Sequence, residues 1–179
     1  MINRLGRGDT IIEVVLAVTV FSMVSIGALT VMNNGLAMAQ RSIEMTLVRQ
    51  QIDAQAEMIR FVQAQAQDNA TGSYAALWSS IVPTSSPLNL LNTNSCPSSS
   101  ITEGFTLAPS ATGEIRKVTT SVPASVYARM DGEQAQGLYI QLVPVEGGNA
   151  DDAYIQACWD APGSARPATL GTIVRLYRG

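Results

Sequence analysis

The sequence places one carboxylate in an apolar run, where an ionised side chain is unfavourable in free energy. Glu13 stands near the start of the predominantly apolar run formed by residues 11–32. An ionised side chain at the centre of a membrane helix costs about 2.5–3.5 kcal/mol on insertion scales, and such residues usually serve a function with a specific partner. Glu13 is near the end of the run, so its cost is smaller, but a simple apolar anchor would not contain it. We therefore interpret Glu13 as a functional residue and look for a cation that binds it.

The other residue types offer little for catalysis. The chain has no histidine, which removes the commonest general base at neutral pH and the commonest metal ligand. It contains no nucleophile elbow, no phosphate-binding loop and no pairing of cysteine with histidine. Its two cysteines alone do not supply the four ligands of a structural zinc site. We predict a protein that is not an enzyme and that holds no cofactor or metal.

Charge is sparse and mildly acidic. Charged residues make up 14% of the 179 residues, the net charge is −3 and the isoelectric point is about 4.8. A uniform nucleic-acid binder would be basic, so this balance argues against that class. Arg116 and Lys117 form the one candidate contact for DNA. Two residues do not make a basic patch, so we interpret them as a solvated strand edge and leave a nucleic-acid partner open.

The apolar run is long enough to cross a membrane. As a helix it would be roughly 33 Å long, close to the thickness of the hydrocarbon layer. Arg4 and Arg7 precede the run, and the next basic residue is Arg41. Because positive charge stays on the cytoplasmic side, we expect a single-pass protein with its N-terminus inside and the rest of the chain outside.

The nearest cation for Glu13 would be a new amino terminus. Cleavage between Gly8 and Asp9 would make Glu13 the fifth residue of the mature chain. One helical turn would then separate the carboxylate from the amine. A pair within one chain and a pair between neighbouring chains are both compatible with this spacing.

The segment RGDTIIEVVLA, residues 7–17, resembles the class III signal of type IV pilins and of type II secretion pseudopilins. That signal is a short basic leader ending in glycine, then an aromatic residue, threonine, two aliphatic residues and glutamate. Gly8 and residues 10–13 match the pattern in order. Asp9 departs from it, because the family usually has phenylalanine there, and Asp9 places a second negative charge beside the new amine.

The resemblance implies a filament subunit. A membrane prepilin peptidase and methyltransferase would cut after Gly8, with methylation of Asp9 an open question. An inner-membrane assembly platform and its ATPase motor would then move the helix from the bilayer into the core of an extracellular filament of pilin subunits. Glu13 would pair with a neighbour's amine and set the axial register. Adhesion, motility and DNA uptake all remain possible tasks.

Three alternatives stay open. A type II secretion pseudopilin belongs to the same structural class. A membrane-anchored binding domain would never assemble. Finally, Ala37, Met38 and Ala39 have the spacing of an ordinary signal-peptidase site, and a cut there would release a secreted domain that begins at Gln40. The apolar region is longer than the usual 7–15 residue core of such signals, and that alternative leaves Glu13 unexplained.

The helix should continue beyond the membrane run. Residues 33–67 are rich in helix formers, and we predict one helix from about Thr10 to about Gln67, with a local bend or melted turn at residues 33–35. The predicted apolar face consists of Leu36, Ile43, Leu47, Ile52, Ile59 and Val62. We divide the chain into a leader (1–8), a membrane or filament-core helix (9–32), an amphipathic helix (33–67), a Ser/Pro-rich connector (68–112) and a sheet region (113–179).

The pattern of residues in the last third of the chain predicts β-strands. Alternation of apolar and polar residues predicts strands at 113–122, 138–146, 153–159 and 172–178, with shorter candidates at 104–108 and 125–130. The connector holds a possible short helix at 74–81. The expected fold is α+β, in which the long helix packs on an antiparallel sheet of four or more strands.

Two further groups of residues lie in the expected globular region that follows the long helix, which we call the head. Cys96 and Cys158 could oxidise outside the cell, which would close a loop of about 63 residues and stabilise the fold by roughly 4 kcal/mol; pilins often tie their C-terminal region in this way. Two unpaired thiols are the alternative. We interpret Asp151 and Asp152, with Glu146 and Asp160, as a solvated acidic turn, and a calcium site is the alternative.

Overall fold

The computed structural model describes residues 9–82, 96–97 and 104–178. Arg4, Arg7 and Gly8 lie outside the described residues, and so do residues 83–95 and 98–103 of the Ser/Pro-rich connector. The elements are α1 (Asp9–Asp68), α2 (Ser73–Ile81), β1 (Thr106–Pro109), β2 (Ile115–Val118), β3 (Ser121–Val122), β4 (Arg129–Asp131), β5 (Gln134–Gln136), β6 (Leu138–Pro144), β7 (Ala150–Trp159) and β8 (Ala168–Tyr177).

Helix α1 confirms the predicted long helix. It covers 60 described residues, and residues 33–35 are helical, so the predicted melted turn is absent there. The cost of Gly35, about 1 kcal/mol relative to alanine, is small beside the helix formers on both sides. The chain forms two compact units, Met1–Gln40 and Arg41–Gly179, and α1 contributes residues to both.

Within the second unit, one face of α1 packs against the strands. The buried residues of this face are Val48, Ile52, Ala56, Ile59 and Val62. They follow one another at steps of three and four, as a helical stripe requires.

Three members of the predicted apolar face were placed wrongly. Leu36 and Ile43 are 53% and 60% exposed, and Leu47 is only half-buried. The residue that lies in the core is Val48. A seven-residue step drifts around a helix, so Leu36 and Ile43 did not fix the buried face.

The principal sheet is antiparallel, with the order β6-β7-β8. The β1-β2 hairpin is joined to it by a bridge in which Phe105 and Ile140 exchange two backbone hydrogen bonds, 3.0 Å and 2.7 Å long. The structure therefore confirms an α+β layout with a helix on an antiparallel sheet. The predicted single sheet of four or more strands is replaced by a three-stranded sheet with a bridged hairpin.

A third, smaller sheet was not predicted. In it β5 pairs with β3 in parallel and with β4 in antiparallel orientation. The strand predicted at 113–122 is therefore two strands in different sheets, and of 125–130 only the last residues are extended. Gly137 separates this sheet from β6 with φ +62°, and a Cβ atom there would collide with the carbonyl oxygen of Cys158. The close approach of two backbones at this glycine explains the change of sheet.

The predicted disulfide is present. Cys96 and Cys158 are bonded, and their Cα atoms are 5.5 Å apart. Cys158 is fully buried in β7, next to Trp159. The bond therefore joins the connector to the central strand of the principal sheet.

Glutamines of α1 hold strands from different sheets. Gln55 is buried, and its amide both donates to the carbonyl of Leu107 and accepts from the Leu107 N–H, each at 2.8 Å. Gln63 and Gln67 both donate to the carbonyl of Tyr177, at 2.6 Å and 2.9 Å. Gln51 accepts from a backbone N–H of β4. Polar side chains thus fix the helix against β1, β4 and β8, in addition to apolar packing.

We predict that Gln55→Leu lowers the free energy of unfolding by about 2–4 kcal/mol. The substitution leaves a buried N–H and a buried C=O of Leu107 without partners, and each such group costs about 1–3 kcal/mol. Denaturant unfolding of the detergent-solubilised chain, followed by tryptophan fluorescence, measures the loss. Gln50→Leu on the exposed side of α1 is the matched control. Equal stability of the two variants would contradict the prediction.

Candidate functional site

The most unusual surface of the molecule is the apolar part of α1. The large apolar side chains of residues 11–32 are all between 53% and 77% exposed. The helix Ile11–Asp68 contains a stretch that is long and apolar enough to cross a membrane, and none of that stretch is buried. An apolar surface of this extent is unfavourable in water, so it requires lipid or other helices to cover it.

The hydroxyl groups of this segment suit an apolar environment. Thr19 donates to the carbonyls of Val15 and Leu16, each at 2.8 Å. Ser22 and Thr30 donate to the carbonyl four residues earlier, at 2.7 Å and 2.9 Å. Because these three hydroxyls are satisfied within their own helix, their side chains enter hydrocarbon at little cost.

Glu13 is different from those hydroxyls. It is the one ionisable residue between Asp9 and Arg41. Its side chain is exposed, and among the residues that the structure describes it makes neither a hydrogen bond nor an ion pair. The carboxylate is therefore available to a cation that another molecule, or a new amino terminus, supplies.

The backbone places that carboxylate close to the start of α1. The described part of α1 starts at Asp9, four residues before Glu13, so one turn of about 6 Å separates the two positions along the axis. The first N–H groups of a helix have no partner within it and carry partial positive charge. An amine at residue 9 would add a full positive charge at this end. Glu13 belongs to the first compact unit and the disulfide to the second.

A buried carboxylate that the sequence reasoning missed marks the start of the packed part of α1. Glu44 is 7% exposed and accepts a hydrogen bond, 3.1 Å long, from Nε1 of the buried Trp159. Its position four residues before the buried Val48 places it on the inward face of α1, which helical spacing alone did not specify in the sequence. The contact links the helix to β7 beside the disulfide.

The acidic pair at 151–152 is neither a solvated turn nor an open site for calcium. Both residues lie in β7, and the side chain of Asp151 is fully buried. Arg178 binds Asp151 through Nε and Nη2 at 2.8 Å and 2.5 Å. Arg175 binds Asp152 through two nitrogens, each at 2.8 Å. Within the described part of the chain, no group of three or more potential ligands is arranged to hold a metal ion.

The ion pair between Asp152 and Arg175 predicts a pH dependence. The hydrogen bonds from Arg175, aided by its charge and opposed by burial, lower the pKa of Asp152 below its ordinary value. A carboxylate with a lowered folded-state pKa stabilises the fold above the unfolded-state pKa, and this contribution is lost as the pH falls through the folded-state pKa.

We therefore expect Asp152→Asn to reduce stability at neutral pH. The difference from the unsubstituted chain should shrink below the unfolded pKa of about 3.9 and then vanish. Thermal unfolding as a function of pH measures it, with the exposed Asp53→Asn on α1 as the control. A difference that stays constant down to the lowest pH would contradict the expectation.

The two candidate DNA contacts already have partners. Arg116 forms an ion pair with Glu133. The Lys117 ammonium donates to the carbonyl of Ser80 at 2.8 Å and lies 5.5 Å from the centre of the Phe105 ring. Both cations serve contacts within the head, so they do not form a free basic surface.

Together these features define an α+β chain with a helix that includes one exposed, apolar segment of membrane length. In comparisons with known proteins, no family model, no curated protein and no solved structure matches the chain.

Proposed function

We propose that the chain is a type IV pilin-like subunit of an extracellular filament. The observation that carries the proposal is Glu13, an exposed carboxylate without a partner among the described residues, in a predominantly apolar helical segment that is otherwise uncharged. The class III signal at residues 7–17 supports the same interpretation. The disulfide and the helix-on-sheet head are compatible with a subunit that works outside the cell.

The mechanism is physical. Arg4 and Arg7 keep the N-terminus in the cytoplasm, and the apolar segment holds the precursor in the membrane. Prepilin peptidase cuts after Gly8 and leaves an amine on Asp9. The segment then exchanges lipid for the helices of neighbouring subunits, so its apolar surface stays covered throughout and the transfer requires no exposure to water.

Glu13 gives this exchange a direction and a register. In lipid the carboxylate is unfavourable, and beside a neighbour's amine it gains an ion pair in an apolar surrounding, where charges interact more strongly than in water. Because the other side chains of 11–32 are uncharged, only one axial offset between two helices brings the opposite charges together. The pair therefore favours assembly and selects a single stagger.

The proposal is tested by isolating filaments from the cells that make the protein. Shearing and sedimentation should recover the chain in long filaments, and deletion of the prepilin peptidase should remove it from that fraction. Recovery only as short membrane-bound structures would instead favour a secretion pseudopilin. Recovery only in the membrane, in processed form, would indicate an anchored domain and contradict filament assembly.

A further inference from the structure

Strand β8 forms a long edge of the principal sheet. Its ten residues pair with β7 over their whole length without a bulge. At the opposite end of the strand array, β2 lies beside α2, where Lys117 donates to the carbonyl of Ser80. Most of β8, by contrast, is exposed, including Thr169 and residues 171–173.

The register shows which backbone groups point outward. The N–H of Arg178 donates to Asn149, the residue opposite it in the ladder. Antiparallel pairs alternate between bonded and non-bonded, so the even-numbered residues of β8 bond to β7 and the odd-numbered residues face away. Gln63 and Gln67 bind the outward carbonyl of Tyr177, which agrees with this assignment independently. Among the residues that the structure describes, the outward backbone groups left without a partner belong to Thr169, Gly171, Ile173 and Arg175.

This edge lacks the sequence features that usually prevent the edge strand of one molecule from pairing with a strand of another. Residues 168–174 include neither a charged residue nor a proline, and the ladder is continuous. Such edges usually carry exposed lysines, prolines or bulges. The one charged side chain, Arg175, is held across β7 by both oxygens of Asp152. Its guanidinium therefore lies over the sheet and does not block the approach of another strand to the edge.

We infer that the outer edge of β8 binds the same edge of a second copy of this chain, in antiparallel orientation. A row of alternating backbone donors and acceptors is complementary to another extended strand. The strand is also compatible with itself. With Thr172 on the two-fold axis, Gly171 pairs with Ile173 and Thr169 pairs with Arg175, so like charges do not meet. This register uses every remaining outward residue and leaves Tyr177 with its glutamines.

The inference is independent of the proposed function, because it rests on the head and not on Glu13. Its test is amide hydrogen exchange by NMR on the full chain in detergent micelles, over a series of protein concentrations. The inward amides of Leu170, Thr172 and Val174 should be protected at every concentration. The outward amides of Thr169, Gly171, Ile173 and Arg175 should exchange about tenfold or more slowly as the copies pair, a change that corresponds to about 1.4 kcal/mol.

Two variants separate backbone pairing from side-chain contact. Ile173→Pro removes an outward N–H and leaves the hydrogen bonds to β7 in place, as proline on an edge strand allows. It should abolish the concentration dependence of the outward amides and keep the inward ones protected. Ile173→Ala keeps that N–H and should retain the dependence.

Three results would overturn the inference. In the first, the outward amides exchange rapidly at every concentration, which is also the result expected if the edge binds a strand of a different protein. In the second, Ile173→Pro retains their protection. In the third, Ile173→Ala loses the concentration dependence, which would assign the association to the side chain. Glu13→Ala should pair as the unsubstituted chain does, so a failure of filament assembly is distinguishable from a failure of edge pairing.

Discussion

Cells that produce Glu13→Ala should process the precursor normally and yield at least about tenfold fewer filaments. The proposed peptidase site, Gly8 and Asp9, is unchanged in the sequence of this variant. In the proposed mechanism, the variant loses the ion pair that compensates for leaving lipid and fixes the stagger between helices, and each 1.4 kcal/mol lost is a factor of ten in an equilibrium. Sheared filaments and the processed membrane pool are measured in parallel by immunoblot.

The control for this variant is Ser22→Ala. Ser22 lies in the same exposed apolar segment, but its hydroxyl already donates to the carbonyl of Val18. Its removal should leave the filament yield unchanged. Glu13→Gln, which keeps the shape and removes the charge, should behave like Glu13→Ala. A normal yield from either Glu13 variant would contradict the role of the carboxylate in assembly.

The second large effect is expected from the disulfide. The paired substitution Cys96→Ala and Cys158→Ala should lower the free energy of unfolding by about 4 kcal/mol, because it releases a loop with a sequence separation of 62 residues. For a domain of this size that corresponds to a fall in Tm of about 10 °C or more. Thermal unfolding of the detergent-solubilised chain gives the value.

Reducing agent supplies the control for the cysteine variant. It should lower the Tm of the unsubstituted chain by a similar amount and leave the Tm of the paired variant unchanged. Since Cys158 is fully buried beside Trp159, the reduced chain should also show altered tryptophan fluorescence. Equal stability of the oxidised chain and the paired variant would contradict the expected contribution.

Much of the fold could be predicted from local patterns. The apolar run and the helix formers after it predicted α1 as one long helix and its C-terminal end to within one residue, because a helix of this length is set by many residues that agree. The principal strands were found from their alternation, although β7 begins three residues earlier than expected and β8 four. The cysteine pairing also followed, since two cysteines allow only one bond within the chain.

The predictions that were wrong concern features that depend on contacts between residues distant in sequence. Whether Ile43 or Val48 faces the core depends on where the strands lie, and helical spacing alone does not specify that. The chain leaves the small third sheet at Gly137, whose positive φ and close approach to the carbonyl of Cys158 are not visible in local alternation. Likewise, Asp151 was placed in a turn because its partner, Arg178, is distant in sequence. Amino-acid composition does not show which charged residues will pair across neighbouring segments of a sheet.

The mature N-terminus tests the central claim most directly. Intact-protein and peptide mass spectrometry should be applied to the chain purified from its native cells. The account predicts a chain that begins at Asp9, and the same spectrum shows whether its amine is methylated. A chain that begins at Gln40, or one that retains Met1, would contradict it, because in either case no amine would form one turn from Glu13.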